Sequence, residues 1–500
     1  MLNKRSSHPQ SEIPIRTIAE DFHPVGVAEL DLYQKREKIY TRKIEGFYQR
    51  IRLYTGWPLL LGYFLLPWLN WSGSQAVLFD LPKRQFNIFS LTFWPQDFPL
   101  LALMLIIAAF TLFAVTAWIG RVWCGYTCPQ TVWTAIFMWA EQFFEGSRNQ
   151  RIKRDQGPWS RDKVLGKIGK HGAWIGIAFL TGFTFVGYFS PIREMSQNFF
   201  LVNIVSSGDL RVLNWGLGWW EIAWINFFTC ATYINAGWMR EQVCIYMCPY
   251  ARFQSVMFDK DTLVVSYDEK RGESRGPRKK TAIPSEEGLG DCVDCKICVQ
   301  VCPTGIDIRD GMQFECIDCA LCIDGCNSVM DQMGYERGLI SYTTENELEG
   351  KPTVFLRPRL IGYGIAVLLM VSLFSWAILV RVPLELDVIR DRDRLFSETT
   401  EGLIENSYTL KILNMDQHEH SYEVTFSGLD HAIIVGKNKV VVTGGEVASL
   451  PFRLQIDPSK IPGAHTRVVF LLASTDGSDY FSSSESRFIG PEQRNVRSSE

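Results

Sequence analysis

Net charge is almost missing from this chain: 51 basic and 54 acidic residues leave −3 over 500 positions. No single-sign field argues for a nucleic-acid partner, and only the local distribution of charge carries information. The first fifty residues lack an early apolar core and a small-residue cleavage site. They are polar and carry Lys35, Arg36, Lys38, Arg42, Lys43 and Arg50, so no cleaved signal peptide is expected. Cysteine is absent after Cys326, which denies the C-terminal region a disulfide staple.

Apolar and aromatic residues are abundant instead. A hydrophobic share of 47%, with 16 Trp and 32 Phe, is rich for a soluble protein and points to membrane segments. Leu53 to Phe79 runs without a charge, with Pro58 and Pro67 marking an end or a kink; Phe98 to Gly120 and Gly172 to Ile192 are further uncharged runs. A fourth lies within Val212 to Met239, interrupted by Glu221, and a fifth is Leu360 to Val380 between Arg359 and Arg381. These predict about five transmembrane helices. Gly146 to Lys170 carries eight basic residues against two in each of the other short loops. The excess places that loop and the N-terminus in the cytoplasm, and five crossings leave everything after Val380 outside.

Beyond Arg381 the periodicity changes to two. Tyr408, Leu410 and Ile412 alternate with polar residues, as do Tyr422, Val424 and Phe426, then Leu450, Phe452, Leu454 and Ile456. Turn residues between the runs argue for an antiparallel β-sandwich of roughly a hundred residues, large enough to rest on a packed core. Gln493 to Glu500 reads as a disordered tail.

Eight of the 13 cysteines fall between Cys292 and Cys326. Cys292, Cys295, Cys298 and Cys302, followed by Pro303, form C-x-x-C-x-x-C-x-x-x-C, and Cys316, Cys319, Cys322 and Cys326 repeat the spacing. A zinc site needs four ligands and shows separated C-x-x-C pairs, so two duplicate runs overfill it. The pattern is that of bacterial two-cluster ferredoxins, in which the fourth cysteine of each run serves the other 4Fe–4S cube. The first cluster then takes Cys292, Cys295, Cys298 and Cys326, and the second Cys302, Cys316, Cys319 and Cys322. Asn327 stands where such runs repeat the proline, which leaves the local geometry of the second run open.

Four other cysteines come as matching C-x-x-x-C-P motifs, Cys124 with Cys128 before Pro129 and Cys244 with Cys248 before Pro249. Each follows an apolar run at the face assigned to the cytoplasm. On a helical turn, i and i+4 point the same way, so each pair can offer two sulfurs to one ion, and soft thiolates favour Cu(I). Buried cysteines that merely pack are the bland reading, which the duplication weighs against. Pro129 and Pro249 suit the first turn of the helices that follow, such as Thr131 to Phe144. Cys230 reads as packing, and Glu141 and Glu145 as local ion-pair partners of Arg148. His418-Glu419-His420 with Met415 reads as a polar turn ahead of a copper cluster.

Trp123-Cys124-Gly125-Tyr126-Thr127-Cys128-Pro129-Gln130, Cys244-Ile245-Tyr246-Met247-Cys248-Pro249-Tyr250 and Cys316-Ile317-Asp318-Cys319-Ala320-Leu321-Cys322-Ile323-Asp324-Gly325-Cys326 carry a resemblance. Through them, the membrane runs and the C-terminal strands, the chain resembles the FixG/CcoG family of cytochrome c oxidase accessory proteins over nearly its whole length. The resemblance implies a multi-domain fold: an α-helical membrane bundle, an inserted two-cluster ferredoxin-like α+β domain and a C-terminal all-β immunoglobulin-like sandwich. It also implies an assembly factor for a cbb-type oxidase that reduces Cu(II) to Cu(I), with copper as substrate, Cys124, Cys128, Cys244 and Cys248 as the catalytic set, and oxidase subunits or copper chaperones as partners. The electron donor is not identified. The expected order is an N-terminal cytoplasmic segment 1–50, a membrane domain 51–250, a cytoplasmic ferredoxin domain 251–358, a fifth helix 359–381, a periplasmic sandwich 382–492 and a tail 493–500, in a bacterial inner membrane. The rivals are a NapH-like quinol dehydrogenase and a non-catalytic assembly scaffold.

Overall fold

The computed structural model describes residues 38–71, 74–200, 202–207, 210–280, 288–391, 394–416 and 418–491. The expected tail and most of the expected N-terminal segment lie outside it.

The first helix, α1 (Phe47–Leu65), starts where the buried Asp324 carboxylate accepts from the Tyr48 and Gln49 amides at 3.2 and 2.8 Å, and contains Pro58. It gives way to a 3₁₀ turn over Leu66–Trp68, with Pro67 inside, so the uncharged run to Phe79 is not one helix. Short strands follow: β1 (Asn70–Trp71), β2 (Ser74–Gln75), β3 (Val77–Asp80), β4 (Gln85–Ile88) and β5 (Leu91–Phe93). Next come α2 (Phe98–Ile119), α3 (Val122–Tyr126), α4 (Pro129–Glu145), α5 (Arg148–Gln156), α6 (Arg161–Val186) and α7 (Ile192–Phe200). A hairpin of β6 (Val202–Ser207) and β7 (Leu210–Trp215) leads to α8 (Trp219–Thr232), which continues as a π-helix over Tyr233–Met239.

Two helical stretches, Pro95–Ile119 and Pro358–Val380, are long and apolar enough by length and composition to cross a membrane. The other expected spans differ for visible reasons. α1 holds Arg50 and Arg52 in its first turns, α6 reaches back through Lys163, Lys167 and Lys170, and α8 is only 14 residues because the hairpin takes the residues before it. Glu221 sits at the start of α8 and accepts from the Gly218 amide at 2.9 Å, so it caps the helix end. Cys230 is exposed on α8, which corrects the packing role expected for it.

The ferredoxin-like part begins after α9 (Pro249–Met257). It holds β8 (Val264–Tyr267), α10 (Glu269–Gly272), α11 (Ile297–Val301), α12 (Leu321–Met333), β9 (Ile340–Thr343) and α13 (Glu345–Leu348), with β8 and β9 paired antiparallel. Cys302 ends α11 ahead of Pro303, whereas Cys326 lies inside α12. Proline at position 327 would remove a donor from the middle of α12 and break it; Asn327 instead lets the helix run on and accepts from the Gly338 amide at 3.1 Å.

α14 (Pro358–Val380) leads into β10 (Leu384–Arg390), β11 (Ser397–Glu398), β12 (Ile404–Asn414), β13 (His420–Ser427), β14 (Ile433–Val435), β15 (Lys439–Val442), β16 (Val447–Ile456), β17 (His465–Ser474) and β18 (Phe481–Ile489). One sheet runs β10-β12-β16-β14 with β11 beside β12; the other runs β15-β13-β17-β18. Tyr408 pairs with Phe452 and Val424 with Leu472, and these inward faces form the core of an immunoglobulin-like sandwich.

The cysteine-rich part and the sandwich are tied to opposite ends of the two apolar helices. At one end Arg357, preceding α14, donates to the Ala117 carbonyl near the end of α2 and pairs with Asp259. At the other, Arg381 pairs with Asp97 at 2.6 Å and donates to Thr92, while Trp94, Leu413 and Met415 pack together. Gln85 also donates to the Gly445 carbonyl at 2.5 Å, seating the β3–β5 sheet on the sandwich.

Candidate metal centres

The ferredoxin-like part holds two small cavities, each of about 20 Å3. Cys302, Cys316, Cys319 and Cys322 line one with Val265, Ile306, Ile308 and Ile317. Cys292, Cys295 and Cys326 line the other with Tyr267, Met330 and Leu339, and Cys298 reaches both. The fourth cysteine of each run thus faces the other run's cavity. The residues before and after each central cysteine, Asp294 and Lys296 in one run and Asp318 and Ala320 in the other, have φ between 48° and 59°. Those left-handed residues curl each loop into a concave nest around its cavity. Thiols on apolar walls fit a 4Fe–4S cube, which takes four thiolates. Burial pushes the Cys298 and Cys326 thiols up to about 12.

The surroundings of the two sites differ. At the first, Cys295 is exposed, and the Arg309 guanidinium is neutralised by Asp307 at 2.6 Å and Asp294 at 2.7 Å. At the second, Asp318 is buried between Cys316 and Cys319 and accepts from the amides of Arg121 at 2.8 Å and Val265 at 3.3 Å. Tyr342 donates to the Asp318 carbonyl and lies 3.4 Å from the Tyr126 hydroxyl.

The C-x-x-x-C-P motifs share one local form. Cys124 lies in the short α3 and Cys128 is the residue before Pro129 at the start of α4; Cys244 lies in a π-turn over Val243–Met247 and Cys248 precedes Pro249 at the start of α9. Both prolines take the first turn, as expected. The cysteines of each pair are therefore split across a helix break, not stacked at i and i+4 on one helix. The four thiols are electrostatic neighbours. Burial pushes Cys124 and Cys244 up to about 12, the other thiols of the set push the same way, and Arg121 pulls both down. Among the described residues no group of three or more His, Cys, Asp or Glu side chains is arranged to hold one metal ion. Cys124 Sγ points to Gln254 Oε1 at 3.7 Å, and Thr131 Oγ1 donates to the Cys124 carbonyl at 2.5 Å.

Several residues at this junction had no signal in the sequence beyond their place beside a motif. Buried Arg121 donates to the carbonyls of Phe314, Cys316 (2.8 Å) and Ala251, so it ties the first motif to the second cluster's ligand loop and to α9 of the second motif. The Glu141 and Glu145 expectation needs correction. Glu141 is fully buried and pairs with Arg151 at 3.2 Å and Arg240 at 2.7 Å; Glu145 meets Lys167 and Lys170 at 3.0 and 3.1 Å. Arg148 instead donates to the Tyr40 carbonyl. In the sandwich, both His420 nitrogens are taken by Asp416 and Asp476 at 2.9 and 2.6 Å, and Met415 packs beside Arg381.

Comparison with known proteins gives three domain matches: a 4Fe-4S dicluster domain over residues 239–345, a 4Fe-4S binding domain over 101–149, and the IG-like fold at the C-terminus of FixG over 374–491. The nitrogen fixation protein FixG of Rhizobium meliloti is 36% identical over 468 residues, covering 86% of each chain. Protein RdxA of Cereibacter sphaeroides is 38% identical, over 79% of this chain and 84% of its own. A FixG-related protein from Vibrio parahaemolyticus of known structure is 37% identical, spanning 21% of this chain and 95% of its own, with a TM-score of 0.20. With cysteine-lined cavities in a dicluster domain and relatives matched along most of its length, the chain belongs to the FixG/CcoG family and is an iron–sulfur electron-transfer oxidoreductase.

Proposed function

We propose that this protein is a membrane-bound cupric reductase serving assembly of a cbb-type cytochrome c oxidase. The observation that supports the reading is the packing of Cys124 and Gly125 on the loop that holds Cys316 and Cys319, so the thiols that this reading gives to copper adjoin the site that would hold the second cluster. Cys292, Cys295, Cys298 and Cys326 would hold one 4Fe–4S cluster and Cys302, Cys316, Cys319 and Cys322 the other; when bound, these supply one-electron chemistry. The paired thiols of Cys124, Cys128, Cys244 and Cys248 receive copper, and two thiolates suffice for Cu(I). Each Cu(II) takes up one electron and leaves as Cu(I) for an oxidase subunit or a copper chaperone, while an outside donor replaces the electron. In the purified protein, iron and labile sulfide should each approach eight per chain, and adding Cu(II) to the reduced protein should oxidise the clusters and yield EPR-silent copper. Zinc in place of iron, or clusters that stay reduced in the presence of copper, would sink the reading.

A second reading rests on the 4Fe-4S binding domain match over 101–149, which contains Cys124 and Cys128. Cys124, Cys128, Cys244 and Cys248 would supply the four thiolates of a third cube, and iron near twelve per chain would select it.

The same proposal includes a topology of five crossings by α1, α2, α6, α8 with its π-extension, and α14, in a bacterial inner membrane. The cysteine-rich part lies on the cytoplasmic side with the basic segment from Arg148 to Lys170, and the sandwich lies in the periplasm. It is supported by the attachment of those two parts to opposite ends of α2 and α14. Protease added to spheroplasts should remove the sandwich and spare the ferredoxin-like part; cleavage within residues 251–358 from that side would overturn the orientation.

A further inference from the structure

We propose that Arg121 is the residue that joins the thiol pairs to the second cluster and raises that cluster's reduction potential, with Gly125 setting how closely the two sites approach. The inference deepens the copper reading above and rests on its placement of the two clusters.

Arg121 follows Gly120 just past the end of the apolar helix α2 and stands at the N-cap of α3, which carries Cys124. Gly120, with φ of 52°, makes the turn, and a side chain there would strike the Asp318 carboxylate at 2.6 Å. The guanidinium then faces inward, only 3% exposed, with its hydrogen bonds spent on the main-chain carbonyls of Phe314, Cys316 and Ala251. Two of those carbonyls belong to the loop that carries Cys316, and the third to the helix that follows Cys248. One buried cation therefore holds three segments that each bring cysteines.

Gly125 completes the joint. A Cβ there would stand 2.8 Å from the Ile317 carbonyl oxygen, 2.9 Å from Cys319 Cα and 3.0 Å from the Asp318 carbonyl oxygen, all main-chain atoms that cannot swing aside. Arg52 donates to the Gly125 carbonyl at 3.1 Å and adds a second cation near Cys319. The first cluster's site is built differently: Lys296 and Arg309 both line it, Arg309 is neutralised by two carboxylates, and Cys295 faces solvent.

The electrostatic consequence has a definite sign. A cluster gains negative charge on reduction, so a buried cation favours the reduced form and raises the potential, whereas burial alone lowers it. Inside the second site Arg121 offsets both the burial and the Asp318 carboxylate that lies 3.5 Å from Cys316 Sγ.

The test is an EPR-monitored redox titration of full-length protein in detergent, with Cys295→Ser used to mark the first cluster's signal. In Arg121→Gln the second cluster's midpoint potential should fall while the first cluster's stays in place. Arg121→Lys keeps the charge and loses the fork, so it should restore most of the potential yet alter the second signal's line shape. Gly125→Ala should disturb the second signal alone, whereas Gly172→Ala, whose added methyl meets nothing within 4 Å, should disturb neither. If Arg121→Gln loses its iron, Arg121→Lys and Gly125→Ala decide the matter. Unchanged potentials and signals in iron-replete variants, or changes confined to the first cluster, would overturn the proposal. Failure of the copper reading would appear separately, as wild-type protein whose clusters do not respond to copper.

Discussion

Replacing Cys124, Cys128, Cys244 and Cys248 together by serine should slow Cu(II) reduction by about tenfold or more while iron content and the cluster EPR signals stay at wild-type levels. Serine is nearly isosteric with cysteine but is a hard, poor ligand for Cu(I). Loss of outer hydrogen-bonding partners alone costs metal sites roughly 10- to 100-fold in affinity or activity, so loss of the ligands themselves should cost at least as much. Cu(I) retention should suffer more than Cu(II) uptake, because carboxylates and imidazoles elsewhere can hold the harder ion. Folding should survive, since serine keeps the shape of these side chains and the hydrogen bond from Cys124 to Gln254 is long, at 3.7 Å. Rapid mixing of reduced variant with Cu(II), followed at the cluster absorbance, gives the rate. A fourfold variant that reduces copper at the wild-type rate would remove the site, leaving the quinol or scaffold alternatives.

Glu141→Gln should be among the most destabilising single changes in the chain, at about 3–5 kcal/mol, the usual consequence of stripping one partner from a buried ion pair. Both Arg151 and Arg240 depend on this carboxylate, and all three side chains lie at or below 9% exposure. Arg151 also donates to the Thr41 carbonyl, and Arg240 reaches the π-helix ahead of Cys244 through the Gly237 carbonyl. The loss should therefore appear as early trypsin cleavage between Arg148 and Lys170 and a lowered unfolding midpoint, while Glu141→Asp recovers part of it. An unfolding free energy within about 0.5 kcal/mol of wild type, the range of an ordinary surface change, would show that the network is not holding these helices together.

The two ferredoxin runs were legible because cluster binding constrains spacing: each thiolate has to reach the same small body, and only a few intervals along the chain allow it. The sandwich strands were legible for a similar reason. With one face buried, period two leaves a direct trace, and Tyr408, Leu410 and Ile412 do line the core. The prolines after Cys128 and Cys248 announced helix starts because their missing N–H is harmless only there.

What the sequence left open depended on packing between distant segments. The π-turn at Val243–Met247, the helix break within each cysteine pair and the shift of Glu141 from Arg148 to Arg151 and Arg240 follow no local period. A run of uncharged residues shows apolarity but not where the backbone leaves the helix, which is why Leu53 to Phe79 became a helix, a turn and strands. By itself the sequence determined the spacing of the cysteine runs and the inward faces of β12, β13 and β16, since each is written in intervals of a few residues. Only the tertiary structure decided that Arg121 and Gly125 lie on the Cys316–Cys319 loop. They are nearly two hundred residues from it in sequence, and the contact exists because a buried guanidinium must find its carbonyl partners wherever the fold brings them.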